Sequence, residues 1–354
     1  MSVLQLKSIC ILRLSAIGDV CNAVSVVQSI QRQHPQAQIT WIIGKIEARL
    51  LEGLPGVRFV VFDKKLGKAA YSQLKQDLKH DYFDVLLHMQ VAFRANVASL
   101  CIKARKKIGF DWHTAKELHA LFMRHRIEPA PRSHVLDGFR QFAKAIGVSE
   151  QELGQTPTWQ LPIPEADELW AKQQLAAIGN TRVLIISPAA SKAERNWLPE
   201  RYAALADYAH TKGFAVILCG GPTELERSLS QAILASAQHP ITDLTGKTNL
   251  KQLLALLKHA SLVLAPDTGP THMAVAVGTP VIGLYGHSNP DRTGPYLFRQ
   301  YVVEAYHQSL LEQQGKTAAE LKWGTRVKGS DIMQKIAVEA VTAMFDKVVA
   351  EQQL

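Results

Sequence analysis

Cysteine is scarce and scattered. The 354-residue chain has four, Cys10, Cys21, Cys101 and Cys219, and no two form a C-x-x-C pair. That pattern excludes a disulfide framework and the usual zinc spacings, and reads as buried thiols in a reducing compartment. No G-x-G-x-x-G follows any strand-like run, so a nicotinamide or flavin site of the usual type is not expected. Gly246-Lys247-Thr248 imitates the end of a phosphate loop, but Ile241 stands where its first glycine belongs, which leaves an ordinary turn. There is no H-E-x-x-H, and no Asp-x-Asp triplet that would hold a divalent cation against a sugar diphosphate. Neither a metal site nor a cofactor is expected. Long apolar runs are missing too, since none approaches the roughly 20 residues that span a bilayer. Met1–Lys7 runs straight into a strand without a basic segment and cleavage site, so no signal peptide is expected and the default location is cytoplasmic.

The chain does have apolar mass and positive charge. At 47% hydrophobic residues and this length, it can bury a large core, with two domains favoured over one. A formal charge of +9 calls for an acidic partner, whether nucleic acid, an anionic membrane face or a phosphorylated substrate. The charge is concentrated at Arg94, Lys103, Arg105, Lys106 and Lys107, followed by Arg124, Arg126 and Arg132. A solvated helix end and loop explains this stretch as well as a binding surface does. No zinc-finger spacing or RNA-binding aromatic signature accompanies it, which leaves nucleic acid the weakest option.

Strand and helix signals alternate throughout. Ser8–Leu14 is a continuous apolar run of the kind buried on both faces of a parallel sheet. It leads through Ser15-Ala-Ile-Gly-Asp19 to Val20, Ala23, Val24, Val27 and Ile30, which share one helical face. Ile39–Ile43, Val57–Phe62 and Phe83–His88 repeat the strand signal, with helices at Ala69–Lys79 and Leu136–Ile146. Pro157, Pro162 and Pro164 mark Gly154–Pro164 as a linker. The alternation then restarts, with strands at Arg182–Ile186, Phe214–Cys219, Ile241–Leu244, Ser261–Pro266 and Pro280–Tyr285. Helices are expected at Pro199–Thr211, Pro222–Ala237, Leu250–His259 and Asp331–Glu351. The expected fold is α/β, two Rossmann-like parallel-sheet domains at 1–160 and 161–330, facing a central cleft. The final helix, 331–354, packs at the end of the second domain or crosses back to the first.

Ligands bind outside the carboxyl ends of such sheets, and the turns Ser15–Asp19, Ser187–Trp197, Gly220–Pro222 and Asp267–His272 all fall there. The last is the most informative. A buried strand entering Asp267-Thr-Gly-Pro-Thr-His272 and then a helix is an anion site in outline, because free backbone N–H groups and the helix dipole point at whatever sits there. Thr268 or Asp267 can cap the helix, Gly269 admits close backbone approach, and His272 can donate to a phosphate oxygen. A plain capped turn with an interfacial histidine fits the same six residues.

Together, Arg13-Leu-Ser-Ala-Ile-Gly-Asp19, the Ser-rich loop leading to Arg195-Asn-Trp197, Gly220-Gly221 and Asp267-Thr-Gly-Pro-Thr-His272 resemble glycosyltransferase family 9. These are the bacterial lipopolysaccharide heptosyltransferases, of GT-B fold. The match runs in order from Leu12 to about Pro295. Gln90–Lys107 and Gly109-Phe-Asp-Trp112 are most similar to heptosyltransferase I. The resemblance implies inverting, metal-independent transfer of L-glycero-D-manno-heptose from ADP-heptose to a Kdo sugar of the lipopolysaccharide inner core. The second domain would hold the donor and the first the acidic acceptor.

Asp19 matches the family's general base; the alternative is an acid that only serves the helix dipole. Thr268, Gly269 and His272 match its phosphate-binding turn. Where the family usually carries Lys, two residues before Trp197, this chain has Arg195, with Lys192 three residues earlier, so either cation can meet the phosphate. Ser187 and Ser191 are further donor-side candidates, Trp197 is expected to pack, and Asp267 is an N-cap, a partner of His272 or an acceptor for a heptose hydroxyl. Ser15, Gly18 and Arg94 go with the acceptor. The basic segment after Arg94 continues that site or meets anionic head groups, making the enzyme peripheral to the cytoplasmic face of the inner membrane. The rival readings are a family 9 enzyme with another acceptor or sugar nucleotide, a nucleotide-sugar epimerase, and a non-catalytic nucleotide-sugar-binding protein.

Overall fold

The computed structural model describes residues 6–112, 119–179 and 182–354, apart from the Ala120 side chain. Met1–Gln5, on which much of the signal-peptide expectation rests, lies outside the described residues. The chain forms two compact units, Met1–Pro162 and Ile163–Leu354.

In the first unit, strands β1 (Ser8–Leu12), β2 (Gln38–Gly44), β3 (Val57–Phe62), β4 (Phe83–His88), β5 (Ala104–Gly109) and β6 (His125–Arg126) form one sheet. Its order is β3-β2-β1-β4-β5-β6, and every described pairing is parallel. Ile9 to Leu12 of the central strand are fully buried, as a strand covered on both faces requires. The helix Ile17–Gln33 buries Val20, Ala23, Val24, Val27 and Ile30. The linker is stitched to this helix, because Trp159 Nε1 donates to Cys21 O at 2.8 Å and Gln28 Nε2 to Gln160 O at 3.0 Å.

The second unit repeats the plan. Strands β7 (Arg182–Ile186), β8 (Phe214–Leu218), β9 (Ile241–Asp243), β10 (Leu262–Pro266), β11 (Val281–Tyr285) and β12 (Val302–Glu304) are ordered β12-β11-β10-β7-β8-β9. In both units the order reverses beside the first strand, between β1 and β4 and between β7 and β10, which is where open α/β sheets place their ligands. The final helix belongs to this unit's core: Val341, Phe345 and Val348 are fully buried, and Phe345 packs edge-on to Phe214 at 5.1 Å. The continuous helix expected from Asp331 is instead a 3-10 turn, Ile332–Lys335, followed by Val338–Glu351. The break has a local cause. Trp197 Nε1 (2.9 Å) and Arg201 Nη1 donate to the Ile336 carbonyl, taking an acceptor that a continuous ladder would use.

Several elements differ from expectation. The basic residues Arg105, Lys106 and Lys107 lie in strand β5, not in a helix end and loop. Lys107 is half-buried, its Nζ donating to Ser99 O at 2.7 Å, and burial lowers its pKa. The helices Phe93–Leu100, Glu165–Ile178 and Tyr306–Gln314 and strand β12 are further additions. Gly246-Lys247-Thr248 is a turn, with Gly246 at φ +72°. All four cysteines are free and Cys101 alone is partly exposed; burial pushes the Cys21 and Cys219 thiols up to about 12. Among the described residues no helix is long and apolar enough to cross a membrane.

Candidate functional site

Each unit has a polar cluster at the point where its strand order reverses. In the first, residues 13–15 are sewn between neighbouring strands: Arg13 N donates to Ile42 O at 3.2 Å, Gly44 N to Leu14 O at 2.9 Å, and Met89 N to Leu12 O at 3.0 Å. Trp41 Nε1 donates to Arg13 O at 3.1 Å. The loop after β4 closes the other side, with Leu14 N donating to Gln90 Oε1 at 2.6 Å and Gln90 Nε2 to Ser15 Oγ at 3.4 Å. The Ser15–Ala16 peptide bond is cis. Ala16 is the N-cap of the helix Ile17–Gln33 and has no side chain to cap it. Gly18 is buried in the first turn and Asp19 follows it. The Arg13 guanidinium, 8% exposed, donates through Nη1 to Met89 O at 2.6 Å and through Nη2 to Asp19 Oδ2. Asp19 keeps 32% of its side chain open to solvent.

Arg94 lies just beyond the same β4 loop, exposed in the first turn of the helix Phe93–Leu100. A cation there opposes the helix dipole, and no described carboxylate pairs with it. This placement costs the fold something and leaves the guanidinium available to an anion. Under the loop sits a sealed histidine pair. His119 accepts from Phe110 N through Nε2 at 3.1 Å and meets Asn96 Oδ1 through Nδ1 at 2.8 Å. These bonds fix its neutral tautomer, with the proton on Nδ1. His88 stands edge-on to it at 4.6 Å. Burial holds His119 down to about 4, and burial together with His119 holds His88 well below the usual histidine range. Gly109 is required here, since a Cβ would lie 2.4 Å from His119 Nε2.

In the second unit the loops after β7 and β10 meet. Arg195 Nη2 donates to the Asp267 carbonyl at 2.8 Å and to its Oδ2 at 2.9 Å, with both side chains only 15% exposed. His272 Nε2 stands 4.0 Å from Asp267 Oδ1. The expected side-chain cap is not made. Thr268 is the N-cap, but its hydroxyl, like that of Thr271, donates back to Pro266 O, at 3.2 and 2.7 Å. The Thr268 side chain therefore makes no cap on the helix Gly269–Ala276. On the β7 side, Ser187 is buried, whereas Ser191 and Lys192 are exposed, Lys192 lying 3.7 Å from Glu194. Trp197 is a packing residue, 1% exposed and edge-on to Tyr202 at 5.2 Å.

The Gly220–Pro222 turn does not join this cluster. Gly221 N donates to Glu226 Oε1 at 2.7 Å, so a carboxylate already occupies the donor that an anion would need.

The structure thus groups Ser15, Gly18 and Asp19 in one turn, groups Arg195 with Asp267 and His272, and leaves Ser191 and Lys192 on an open loop. The sequence reading missed Arg13, Met89 and Gln90 as site members, although Arg13 stands in the quoted first motif.

Residues 71–323 match the model of glycosyltransferase family 9 (heptosyltransferase). The lipopolysaccharide core heptosyltransferase OpsX of Haemophilus influenzae is 45% identical over 342 residues, 97% of each chain. Among solved structures, the family 9 glycosyltransferase of Veillonella parvula superposes with TM-score 0.79 at 21% identity, covering 99% of both chains. Escherichia coli heptosyltransferase WaaC with ADP gives 0.71 at 18% identity, covering 97% of this chain and 98% of its own. At those identities the two structures speak for the GT-B fold alone, while the family match and the 45% relative speak for membership. The chain belongs to glycosyltransferase family 9, the heptosyltransferases, and is a glycosyltransferase.

Proposed function

We propose that this enzyme transfers L-glycero-D-manno-heptose from ADP-heptose to a Kdo residue of the lipopolysaccharide inner core, with inversion and without metal. The first unit takes the acceptor and the second the donor. The observation that carries the reading is Asp19. It is a carboxylate in the first turn of an uncapped helix at the switch point, with one oxygen bound by Arg13 and a third of the side chain open. In the reaction the acceptor hydroxyl gives its proton to Asp19 as its oxygen bonds to the anomeric carbon. The bond from that carbon to the pyrophosphate oxygen breaks, and ADP leaves with the electron pair. The N-terminus of the helix Gly269–Ala276, with His272 and the cations of the β7 loop, receives the growing phosphate charge. Ser187 and Ser191 lie on the donor side of this scheme; Ser15, Gly18 and Arg94 meet the acceptor, Arg94 through the Kdo carboxylate.

The name of the 45% relative carries no type number, so a heptosyltransferase II acceptor is the second reading. Defined acceptors with bare Kdo, or with Kdo already bearing one heptose, separate the two. Contact with an anionic inner-membrane surface is part of the proposal. It rests on the exposed Phe93, Leu100, Trp112 and Leu121 lying in the same stretch as the cations Arg94, Lys103, Arg105, Lys106 and Arg124.

The test is ADP release from ADP-heptose in metal-free buffer, with and without a Kdo-containing lipid acceptor. Release should depend on the acceptor and fall at least ~100-fold in Asp19→Ala while donor binding persists. Release indifferent to the acceptor would sink the assignment.

A further inference from the structure

We propose that Arg13 is the positioning residue of the catalytic base, a clamp that ties Asp19 to the loop after β4. The inference rests on Asp19 being the base. Arg13 leaves the carboxyl end of β1 with both backbone polar groups committed to β2, through Ile42 O and Trp41 Nε1. Its side chain runs from a fixed root. The guanidinium lies 5.2 Å from the centroid of the Phe139 ring, with one arm on the Met89 carbonyl and the other on Asp19 Oδ2.

The need for such a clamp follows from where Asp19 sits. An acid in the first turn of a helix is already stabilised by the free N–H groups and the dipole, and this one is substantially open to water. Charge neutralisation alone does not call for a buried arginine. A planar fork supplies what a dipole cannot, a fixed direction for the carboxylate. With Oδ2 taken by Arg13, Oδ1 accepts no hydrogen bond from any described residue and is the oxygen left for the acceptor hydroxyl. The other arm matters equally. Met89 opens the loop that leads through Gln90 to Arg94, so one guanidinium registers the proton acceptor against the cation proposed to hold the substrate. Errors of about 1 Å between reacting groups can cost on the order of 100-fold in rate. Lysine in this place keeps the charge but presents a single point that cannot hold Met89 O and Asp19 together.

The experiment is a double-mutant cycle on acceptor-dependent ADP release, with Arg13→Lys and Asp19→Asn, alone and combined. Arg13→Lys should lower kcat about 10- to 100-fold, with acceptor KM within about threefold and the ADP dissociation constant unchanged. In the Asp19→Asn background the same substitution should cost less than about twofold in kcat, because the register that Arg13 keeps between base and substrate has no effect on turnover once the base is gone. Equal losses in the two backgrounds, or a loss confined to KM, would overturn the clamp. Asp19→Asn with wild-type turnover would instead overturn the base, and the two failures are distinct. Arg13→Gln serves the same cycle if the lysine variant melts early, because Asp19 left behind remains solvated. A third arm leaves Arg13 in place. Asp19→Glu keeps a carboxylate but moves it by one methylene against the clamp, and should lose at least about tenfold in kcat. Turnover within twofold of wild type would show that position is not limiting and end the proposal.

Discussion

The two switch points are built alike and work differently. Each carries an arginine–aspartate pair, Arg13 with Asp19 inside the turn after β1 of the first unit and Arg195 with Asp267 across the loops after β7 and β10 of the second. In the first, the arginine is nearly sealed and spreads its arms over two residues, leaving the aspartate a third exposed. In the second, one nitrogen of Arg195 holds both the carbonyl and the carboxylate of Asp267, and both partners are closed off. An aspartate with a third of its side chain open can meet a substrate hydroxyl; one 15% exposed and held through main chain and side chain together is built to shape a turn. On the function proposed above, the same topology supplies a reagent in one unit and a scaffold for a phosphate-binding helix end in the other.

The widest separation should come from removing the two carboxylates in turn. Asp19→Asn should lower kcat by about 10²- to 10⁴-fold, the usual reach of general base catalysis, with donor affinity intact. Asp267→Asn should spare most of kcat and raise the donor KM about tenfold, because it loosens the turn without touching the proton transfer. Steady-state kinetics on both variants checks this, and a loss of kcat in Asp267→Asn as large as that in Asp19→Asn would erase the distinction.

A second contrast is in how the units hold histidine. His88 and His119 face each other in the first unit, with Arg13 and Lys107 near one and Arg126 near the other, all unfavourable to a proton. In the second unit His239 pairs with Asp207 at 3.1 Å and His259 with Glu168 at 2.6 Å. Burial alone would raise both of those carboxylates, but their hydrogen bonds, including those from the histidines, hold them low.

The sign follows. Folded His119 stays neutral down to about 4, whereas the unfolded chain takes up its proton near the ordinary histidine value of 6.5. The first unit therefore loses stability as pH falls from about 6.5 to about 4, by roughly 3 kcal/mol for that shift. The paired carboxylates of the second unit are instead held below their ordinary range by their hydrogen bonds. Hydrogen-exchange protection, corrected for intrinsic rates, should fall in β4 and β5 well before β7 and β10. Parallel loss in both units would refute this assignment.

Most of the parallel strands and both switch-point turns were legible because those strands are mainly apolar runs and each turn carries Asp and Gly at its carboxyl end. Strand β5 was not, since Arg105-Lys-Lys107 masks the pattern; the lysine at its end buries its stem and spends its ammonium on a helix carbonyl, which no periodicity reveals. The helix Glu165–Ile178 buries Ala171 alone, so it has no apolar stripe to read. Arg13 escaped notice as a site residue for another reason. Its role depends on Met89, 76 residues away in sequence, and a contact of that span is set by sheet order and not by local pattern.

The smallest expected effect separates the two cations of the β7 loop. Arg195 is already committed to Asp267, so its first duty is the shape of the turn. Lys192 is 69% exposed, with Glu194 its only ion-pair partner among the described residues, and can swing to an arriving phosphate. Arg195→Lys should then raise the donor KM about tenfold in a way that salt barely alters, because a buried fork is lost. Lys192→Ala should raise it only about threefold, an effect that fades as ionic strength rises, as for any exposed charge pair. Donor titrations of both variants at low and high salt read the difference directly. If the salt-sensitive loss instead belongs to Arg195, that arginine lets go of Asp267 when the donor arrives, and the second switch point is no more a fixed scaffold than the first.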